Sequence, residues 1–135
     1  MTKYNKPLPE ITLLTEPFWQ GIKDHQLLLQ RCDDCGAFRF IPKEVCPGCA
    51  SVQSTWTPVS GAGKVYSYST VYRGTGAAFQ DDLPFTVVMV ELAEGPRMIS
   101  HLIDCAPDQV KIDMPVAVVF EDVTAEASLY KFRPA

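Results

Sequence analysis

The stretch that decides the fold is CDDCGAFRFIPKEVCPGC, residues 32–49. It holds two Cys-x2-Cys pairs, Cys32 with Cys35 and Cys46 with Cys49, separated by ten residues. Each pair predicts a tight turn, or knuckle, that presents two thiolates, and two knuckles present four thiolates in the tetrahedron that zinc prefers. The separation is shorter than in the usual paired-cysteine pattern, but it suffices for one short hairpin. The spacing therefore predicts a zinc ribbon, and a site closed by four thiolates predicts a structural metal without a position open for catalysis.

Length and composition favour one domain, or a domain with a small appendage. The chain has 135 residues, of which 47% are hydrophobic and 21% charged, so a real core is expected and global disorder is not. No stretch approaches the roughly 20 apolar residues that span a bilayer, and no secretory signal is apparent. Paired thiols without such a signal indicate metal ligands in a reducing compartment, so a cytoplasmic protein is expected.

The charge distribution opposes nucleic-acid binding. The net charge is −4; residues 1–60 carry six basic and six acidic side chains, whereas residues 61–135 carry six basic and ten acidic ones. Nucleic-acid-binding proteins normally present a basic face or stripe. The second half of this chain is the more acidic half.

The pattern before the ribbon predicts an extended arm and a short helix. Thr15-Glu16-Pro17 is typical of a helix start. Phe18, Trp19 and Ile22 then give an apolar face, so a helix is expected over about residues 16–25. A helix this short needs something to pack on, and whether its apolar face meets its own chain or a partner stays open.

After the helix the pattern is mainly β. Five or six short strands without long helices favour a five-stranded OB-type barrel behind the ribbon, with residues 52–58 as a bridge between the two. The predicted division is residues 1–26 for the arm and helix, 27–55 for the zinc ribbon and 56–135 for the barrel. Strands are predicted at residues 27–29, 37–41, 64–72, 85–92, 97–103, 110–114, 116–121 and 129–132.

Nearly the whole chain, about residues 16–134, resembles one family. The stretches that carry the resemblance are EPFWQGIKDHQLLLQRCDDCGAFRFIPKEVCPGCAS (16–51), SGAGKVYSYSTVYRG (60–74), LPFTVVMVELAEGPRMISHL (83–102) and IDMPVAVVFEDV (112–123). The family was long filed as a domain of unknown function and consists of a rubredoxin-like zinc ribbon followed by an OB-fold barrel. The FW-x-G before the ribbon and the G-x-V-Y-S strand after it are its specific marks.

The resemblance implies a non-catalytic subunit in acyl-CoA metabolism. Members accompany thiolases, thiolase-like lipid-transfer proteins, hydroxymethylglutaryl-CoA synthases, hydratases and aldolases, and they bridge enzymes or complete a CoA site. It also implies structural Zn²⁺ on the four ribbon cysteines, CoA or acyl-CoA as a candidate ligand, and a thiolase-superfamily or other acyl-CoA enzyme as hetero-oligomeric partner. Ala50 and Asp113 stand where members often have Gly, which affects turn geometry and not metal binding.

A CoA ligand needs cations for its phosphates and a flat apolar surface for adenine. The long loop from Arg73 to Phe85 is the best candidate region, because long loops in compact domains are often functional. The predicted CoA-binding residues are Lys64, Arg73, Phe79, Phe85 and Arg97, although each aromatic is also a candidate for the core.

Three alternatives remain. An OB barrel with a ribbon also suits a single-stranded nucleic-acid-binding module, which the acidic barrel opposes. Four thiolates accept iron as well as zinc, as in a rubredoxin-like protein. A stand-alone hydrolase or transferase would need a nucleophile such as Cys105 with His101, but strand rise sets these about 13 Å apart. Cys105 is therefore expected to be a small buried side chain, and no residue set is expected to be catalytic alone.

Overall fold

The computed structural model describes residues 4–135, and the first three residues of the predicted arm lie outside them. The described chain forms one α-helix, a three-stranded sheet and a closed five-stranded barrel, which confirms the predicted fold class. The elements are α1 (Glu16–Lys23), ribbon strands β1 (Leu28–Cys32), β2 (Phe38–Arg39) and β3 (Ser54–Pro58), and barrel strands β4 (Ala62–Val71), β5 (Phe85–Leu92), β6 (Arg97–Leu102), β7 (Pro115–Asp122) and β8 (Ser128–Pro134). Short 3-10 helices occupy Ala77–Asp82 and Pro107–Gln109.

Helix α1 begins where predicted and ends two residues early. Pro17 lies in its first turn, where its missing N–H has no intrahelical acceptor to lose. Thr15 occupies the N-cap position, but its hydroxyl oxygen accepts from the backbone N–H of Thr12, at 2.9 Å, and caps no helical N–H. At the other end the chain turns away because His25 adopts a φ of 59°.

The ribbon sheet has β1 at its centre, with β2 and β3 antiparallel on either side. The interpretation of residues 52–58 as a bridge was wrong, because β3 pairs with β1 along its whole length, from Leu28 opposite Pro58 to Cys32 opposite Ser54. The predicted boundary between residues 55 and 56 falls inside β3. The division of the chain into three segments stays a prediction.

The barrel closes in the order β4-β5-β6-β8-β7, with β7 returning to β4. The predicted strand at residues 110–114 does not form; a 3-10 turn precedes it, and Asp113 takes a φ of 68°, which extended backbone does not allow. Strands β6 and β8 run parallel and share only the pair Leu102 and Phe132. We call this contact the parallel seam. Side chains support it, since the Ser100 hydroxyl donates to the carbonyl of Tyr130 at 2.6 Å.

One core joins the helix, the ribbon and the barrel. Phe18 from α1, only 2% exposed, meets Phe40 after β2 at 5.4 Å and Tyr130 on β8 at 5.7 Å between ring centroids. Phe18 and Ile22 therefore pack on their own chain, whereas Trp19, the third residue of the predicted apolar face, is only half-buried. No helix in residues 4–135 is long and apolar enough to cross a membrane.

A second contact fixes the end of the helix to the barrel. The Nε2 atom of His25 lies 2.9 Å from Oδ1 of Asp122, and its ring stacks on Phe120 with centroids 5.3 Å apart. Asp122 also accepts from the hydroxyl of Ser128 at 2.6 Å. Both hydrogen bonds, Ser128 first, hold the pKa of Asp122 below its usual value.

Candidate metal centre and apolar groove

The two Cys-x2-Cys pairs fold into matching knuckles. In the first, the N–H of Gly36 donates to the carbonyl of Cys32 at 2.9 Å; in the second, the N–H of Ala50 donates to the carbonyl of Cys46 at 2.9 Å. The donating residue takes a positive φ in both cases, 78° at Gly36 and 64° at Ala50. The turn therefore needs a left-handed residue directly after the second cysteine, and Ala50 meets that need at a steric cost that Gly36 does not incur.

The four sulfur atoms converge between the knuckles. The Sγ atoms of Cys32 and Cys49 are 3.5 Å apart, those of Cys35 and Cys46 are 3.7 Å apart, and all four lie within 4.8 Å of one another. Sulfur atoms held about 2.3 Å from a central zinc ion in a tetrahedron lie about 3.8 Å from each other. Cys32 and Cys46 are buried and Cys35 and Cys49 exposed. The donor set fits one tetrahedral metal ion at the surface of the ribbon.

The surroundings set the pKa values of these cysteines apart. The N–H of Cys35 approaches the sulfur of Cys32 at 3.5 Å and lowers the pKa of Cys32 to about 6. The N–H of Cys49 lowers the pKa of Cys46 in the same way. At Cys49 the N–H of Ser51 also acts to lower the pKa, but the Cys32 sulfur and burial outweigh it and raise the pKa of Cys49 to about 12. Four thiolates together therefore need a cation, which a bound metal ion would supply.

Polar contacts tie the first knuckle to the chain that follows the second. The hydroxyl of Ser51 donates to the carboxylate of Asp34, and the hydroxyl of Thr55 donates to Asp33 at 2.7 Å. The N–H of Asp33 also donates to the carbonyl of Gln53 at 3.0 Å. These contacts orient the loops that carry the sulfur atoms, which is the usual role of groups behind metal ligands.

A buried polar network positions the chain between the knuckles, and the sequence analysis missed it. Arg39, 6% exposed, donates from Nη2 to the carbonyl of Lys43 at 2.8 Å and from Nε to the side chain of Gln30 at 3.3 Å. Gln30 in turn accepts from the N–H of Lys43 at 2.8 Å. The sequence carries no signal for this, because polar residues in a small ribbon are normally expected to face solvent.

A groove of about 600 Å³ lies between α1 and the ribbon on one side and β5 and β6 on the other. Trp19, Phe40 and Tyr130 supply aromatic rings to its lining. Met89 and Ile99, directly opposite each other on β5 and β6, line it from the barrel. We call this feature the apolar groove.

Two further cavities continue from the apolar groove along the barrel. The second cavity, of about 360 Å³, shares Trp19, Ile99 and Tyr130 with the groove. The third, of about 330 Å³, shares His101 and Lys131 with the second. The three cavities adjoin one another along the outer side of β6, and we call the series the track.

The structure distributes the five predicted CoA-binding residues over several places. Phe79 lines the second cavity and Phe85 the third, with ring centroids 6.1 Å apart, and Arg97 lines the apolar groove. Lys64 and Arg97 both pair with Glu91, which is six residues beyond Phe85 at the other end of β5. Six residues of a strand span about 20 Å, so these cations lie far from the Phe85 ring. Arg73 is exposed in the loop after β4. The five do not form one site, and their contact with CoA stays a prediction.

Cys105 and His101, the pair considered for a nucleophile, both line the third cavity. Cys105 is half-buried, and its Sγ contacts the carbonyl of Ala106 at 3.6 Å. Burial lowers the pKa of His101, with Lys131 acting in the same direction. His101 stacks on Phe85, with centroids 4.7 Å apart.

Two family models match the two parts of the chain. Residues 19–53 match "ChsH2, rubredoxin-like zinc ribbon domain" and residues 56–121 match "ChsH2, C-terminal OB-fold domain". A protein of Methanocaldococcus jannaschii described as a DUF35 domain-containing scaffold protein is 34% identical over 124 residues, which cover 86% of this chain and 87% of that protein. The chain belongs to the DUF35 family. The resemblance drawn from the sequence is thereby confirmed.

Other similar proteins are named as parts of enzymes. A probable enoyl-CoA hydratase alpha subunit of Thermomonospora curvata is 35% identical over 130 residues, and this chain spans 40% of its length. A benzoylsuccinyl-CoA thiolase subunit of Geobacter metallireducens is 37% identical over 98 residues, 70% of this chain and 64% of that subunit. A solved structure described as "Ltp2-ChsH2(DUF35) aldolase" has a TM-score of 0.84 at 34% identity, covering 93% of this chain and 98% of that one.

Proposed function

We propose that this DUF35 chain is a non-catalytic, zinc-containing accessory subunit of an acyl-CoA-processing enzyme of the thiolase or thiolase-like type. In this role it docks the partner enzyme and contributes to binding CoA or acyl-CoA. The observation that carries the proposal is the closed four-cysteine centre in a chain whose relatives are named as a scaffold protein and as subunits of thiolase and hydratase. Such a centre stabilises a fold and offers no coordination position to a substrate.

Exposed aliphatic side chains around the ribbon support docking through this part of the chain. Val45 lies in the segment between the knuckles, and Val52, 67% exposed, follows the second knuckle. Leu13 in the arm before α1 is also exposed. Large apolar side chains on a small, metal-fixed surface are typical of a protein interface. Zinc on Cys32, Cys35, Cys46 and Cys49 would hold that surface in one shape.

The decisive experiment compares two cysteine variants of the tagged chain, purified from its host with its partner. Cys46→Ser is expected to lose the metal and the partner together, because metal binding contributes on the order of 10 kcal/mol to folding such sites. Cys105→Ser, outside the ribbon, is expected to keep both. Metal content by elemental mass spectrometry also separates zinc from iron. A Cys46→Ser chain that keeps its metal and its partner would refute the docking role of the ribbon.

A further variant tests docking without disturbing the metal. Val52→Glu places a charge on the exposed ribbon surface and is expected to release the partner while the zinc content stays unchanged. Ile112→Glu, at a similarly exposed aliphatic residue on the barrel, serves as control and is expected to retain the partner. The co-purified enzyme is identified by its turnover of CoA thioesters. If neither Val52→Glu nor Ile112→Glu releases the partner enzyme, or if both release it equally, docking through the ribbon is contradicted.

The other functions make different predictions. A single-stranded nucleic-acid-binding module would bind an oligonucleotide tightly at low salt and lose affinity steeply as salt rises, in fluorescence anisotropy. A stand-alone acyl transferase would turn over acyl-CoA esters without a partner, and Cys105→Ala would abolish that activity. We expect neither result, and either would overturn the proposed function.

A further inference from the structure

We propose that the apolar groove binds the acyl group of an acyl-CoA, with the anionic CoA portion directed toward the cationic side chains of Arg97 and Lys43 in its lining. This inference rests on the proposed function and assigns the acyl part of the ligand to one place on the barrel. The place differs from the loop between Arg73 and Phe85 that the sequence favoured. It lies where α1, the ribbon and the barrel meet.

The shape of the apolar groove suits a small apolar group. Its volume of about 600 Å³ lies within the roughly 300–1,000 Å³ of small-molecule sites. Trp19 and Phe40 line it from the helix and ribbon, and Met89 and Ile99 line it from the barrel, so an occupant is contacted from two sides. A flat protein interface needs about 800 Å² per partner, which a slot between two walls does not present.

The hydroxyl groups of Tyr130, which lines the groove, and of Ser100, beside it, are already satisfied within the chain. The hydroxyl of Tyr130 donates to the carbonyl of Ile99 at 3.2 Å, and the hydroxyl of Ser100 donates to the carbonyl of Tyr130. The ring of Tyr130 therefore lines the groove while its hydroxyl group is bonded to the backbone of β6. Burial raises the pKa of Tyr130 to about 12, so the phenol stays neutral. An apolar occupant therefore leaves neither of these two hydroxyl groups without a partner.

Charge complementarity selects an anionic ligand for the same groove. The charged residues among those lining it are Lys43 and Arg97, both cationic, in a chain of net charge −4. The Arg97 guanidinium lies 3.7 Å from the ring of Tyr66, and its Nε lies 3.4 Å from Glu91. Both contacts orient the guanidinium, and a planar guanidinium with further N–H groups suits phosphate. An apolar acyl group joined to phosphates matches this combination.

The track beyond the groove gives room for longer acyl groups. The second cavity adjoins the groove, because Trp19, Ile99 and Tyr130 line both. Polar and charged side chains, among them Lys6, Asp82 and His101, line the far end of the track, so an acyl group is expected to end before them. The acyl chain is therefore expected to run along the outer side of β6 from Arg97 toward His101.

Trp19 reports on occupancy, because it lines both the groove and the second cavity. In a Trp56→Phe background it is the one tryptophan left of the two in the chain. Octanoyl-CoA is expected to change the Trp19 fluorescence saturably. Octanoate is expected to change it more weakly and to compete with octanoyl-CoA. CoA without an acyl group is expected to leave the fluorescence unchanged. Circular dichroism confirms that each variant is folded.

A matched pair of variants locates the binding. Ile99→Glu places an anion in the groove and is expected to weaken octanoyl-CoA binding at least tenfold, because the acyl group then meets a charge and the phosphates a like charge. Ile112→Glu changes an isoleucine of nearly equal exposure, 56% against 54%, outside the groove. That variant is expected to bind as the parent does.

The results separate this inference from the proposed function. If octanoyl-CoA produces no saturable change at Trp19, or if the two glutamate variants bind it equally, the groove assignment is wrong even when the partner enzyme still co-purifies. If Ile99→Glu releases the partner but leaves octanoyl-CoA binding intact, the groove is a protein-docking surface and the assignment is also wrong. Acyl binding without any acyl-CoA enzyme as partner would support the groove and contradict the accessory role.

Discussion

Replacing Phe18 by alanine tests whether the helix, the ribbon and the barrel are one cooperative unit. The ring is 2% exposed and lies 5.1 Å from Trp19, 5.4 Å from Phe40 and 5.7 Å from Tyr130 between centroids. Two of these contacts leave the helix, one to the ribbon segment and one to the last barrel strand. No other side chain of α1 makes aromatic contacts with both in the described residues 4–135.

The expected loss in the free energy of unfolding is about 3–5 kcal/mol, the range for removing a buried phenylalanine ring. About 0.5–1.5 kcal/mol for each aromatic pair is included in that loss. Phe18→Leu keeps most of the volume and is expected to cost about 1–2 kcal/mol, chiefly through the lost ring contacts. Because a domain of this size has about 5–15 kcal/mol in total, Phe18→Ala approaches the limit of foldability.

The assay is urea unfolding at a fixed zinc concentration, followed separately by tryptophan fluorescence and by far-ultraviolet circular dichroism. The two signals should coincide in the wild-type chain and shift together in the variants. Phe79→Ala, at a half-buried ring in the Ala77–Asp82 turn, is the control and should cost clearly less. A loss below about 1 kcal/mol for Phe18→Ala would show that α1 does not join the helix, ribbon and barrel as described. A separate unfolding transition of the ribbon, unchanged when the Phe18 ring is removed, would show the same.

Three further changes follow from particular positions. Ala50→Gly is expected to raise the free energy of unfolding by about 0.5–1 kcal/mol, because removing the strain of a left-handed alanine outweighs the entropy cost of glycine. Asp113→Gly is the control and should change the free energy of unfolding little, because Asp tolerates the left-handed region. The urea midpoints of the two variants and the wild-type chain measure the difference. Burial lowers the pKa of His101, so as pH drops the unfolded chain takes up the imidazole proton before the folded chain does, and stability falls below about pH 6.5. His101→Gln should therefore reduce the fall in Tm between about pH 7.5 and 5.5. An equal fall in Tm in the variant and the wild-type chain would contradict this. Gly63→Ala sets a Cβ 2.6 Å from the carbonyl oxygen of Glu91 and should cost about 1–3 kcal/mol by disturbing the β4–β5 pairing, measured by thermal unfolding.

Local patterns in the sequence predicted those features that depend on neighbouring residues. The knuckles follow from Cys-x2-Cys spacing, α1 from Pro17 and the apolar spacing after it, and the hairpin of β5 and β6 from Ala93–Pro96. The two positions where glycine was expected, Ala50 and Asp113, do adopt positive φ, 64° and 68°. The backbone requirement was thus readable even where the residue differs.

The features that were missed depend on contacts between distant segments. Strand β3 has no strong alternation, and only its pairing with β1 makes it part of the ribbon. The apolar groove joins Trp19 to Ile99 and Tyr130, which lie far apart in the chain and have no shared local signal. The contact between His25 and Asp122 spans 97 positions. The five candidate CoA-binding residues were predicted from their side-chain chemistry alone. Side-chain chemistry does not indicate which of them the strand pairing brings close together.

The parallel seam makes the closure of the barrel depend on side chains. Strands β6 and β8 share one residue pair, so few backbone hydrogen bonds join them, and the amides that point toward the seam are less protected from exchange than those paired with β5 and β7. Ile99 and Tyr130 flank the seam on either strand, and both line the apolar groove. A group seated between them touches both strands and therefore opposes their separation. Occupancy of the groove and opening of the barrel then form one linked equilibrium, in which the occupant slows amide exchange along β6 and β8.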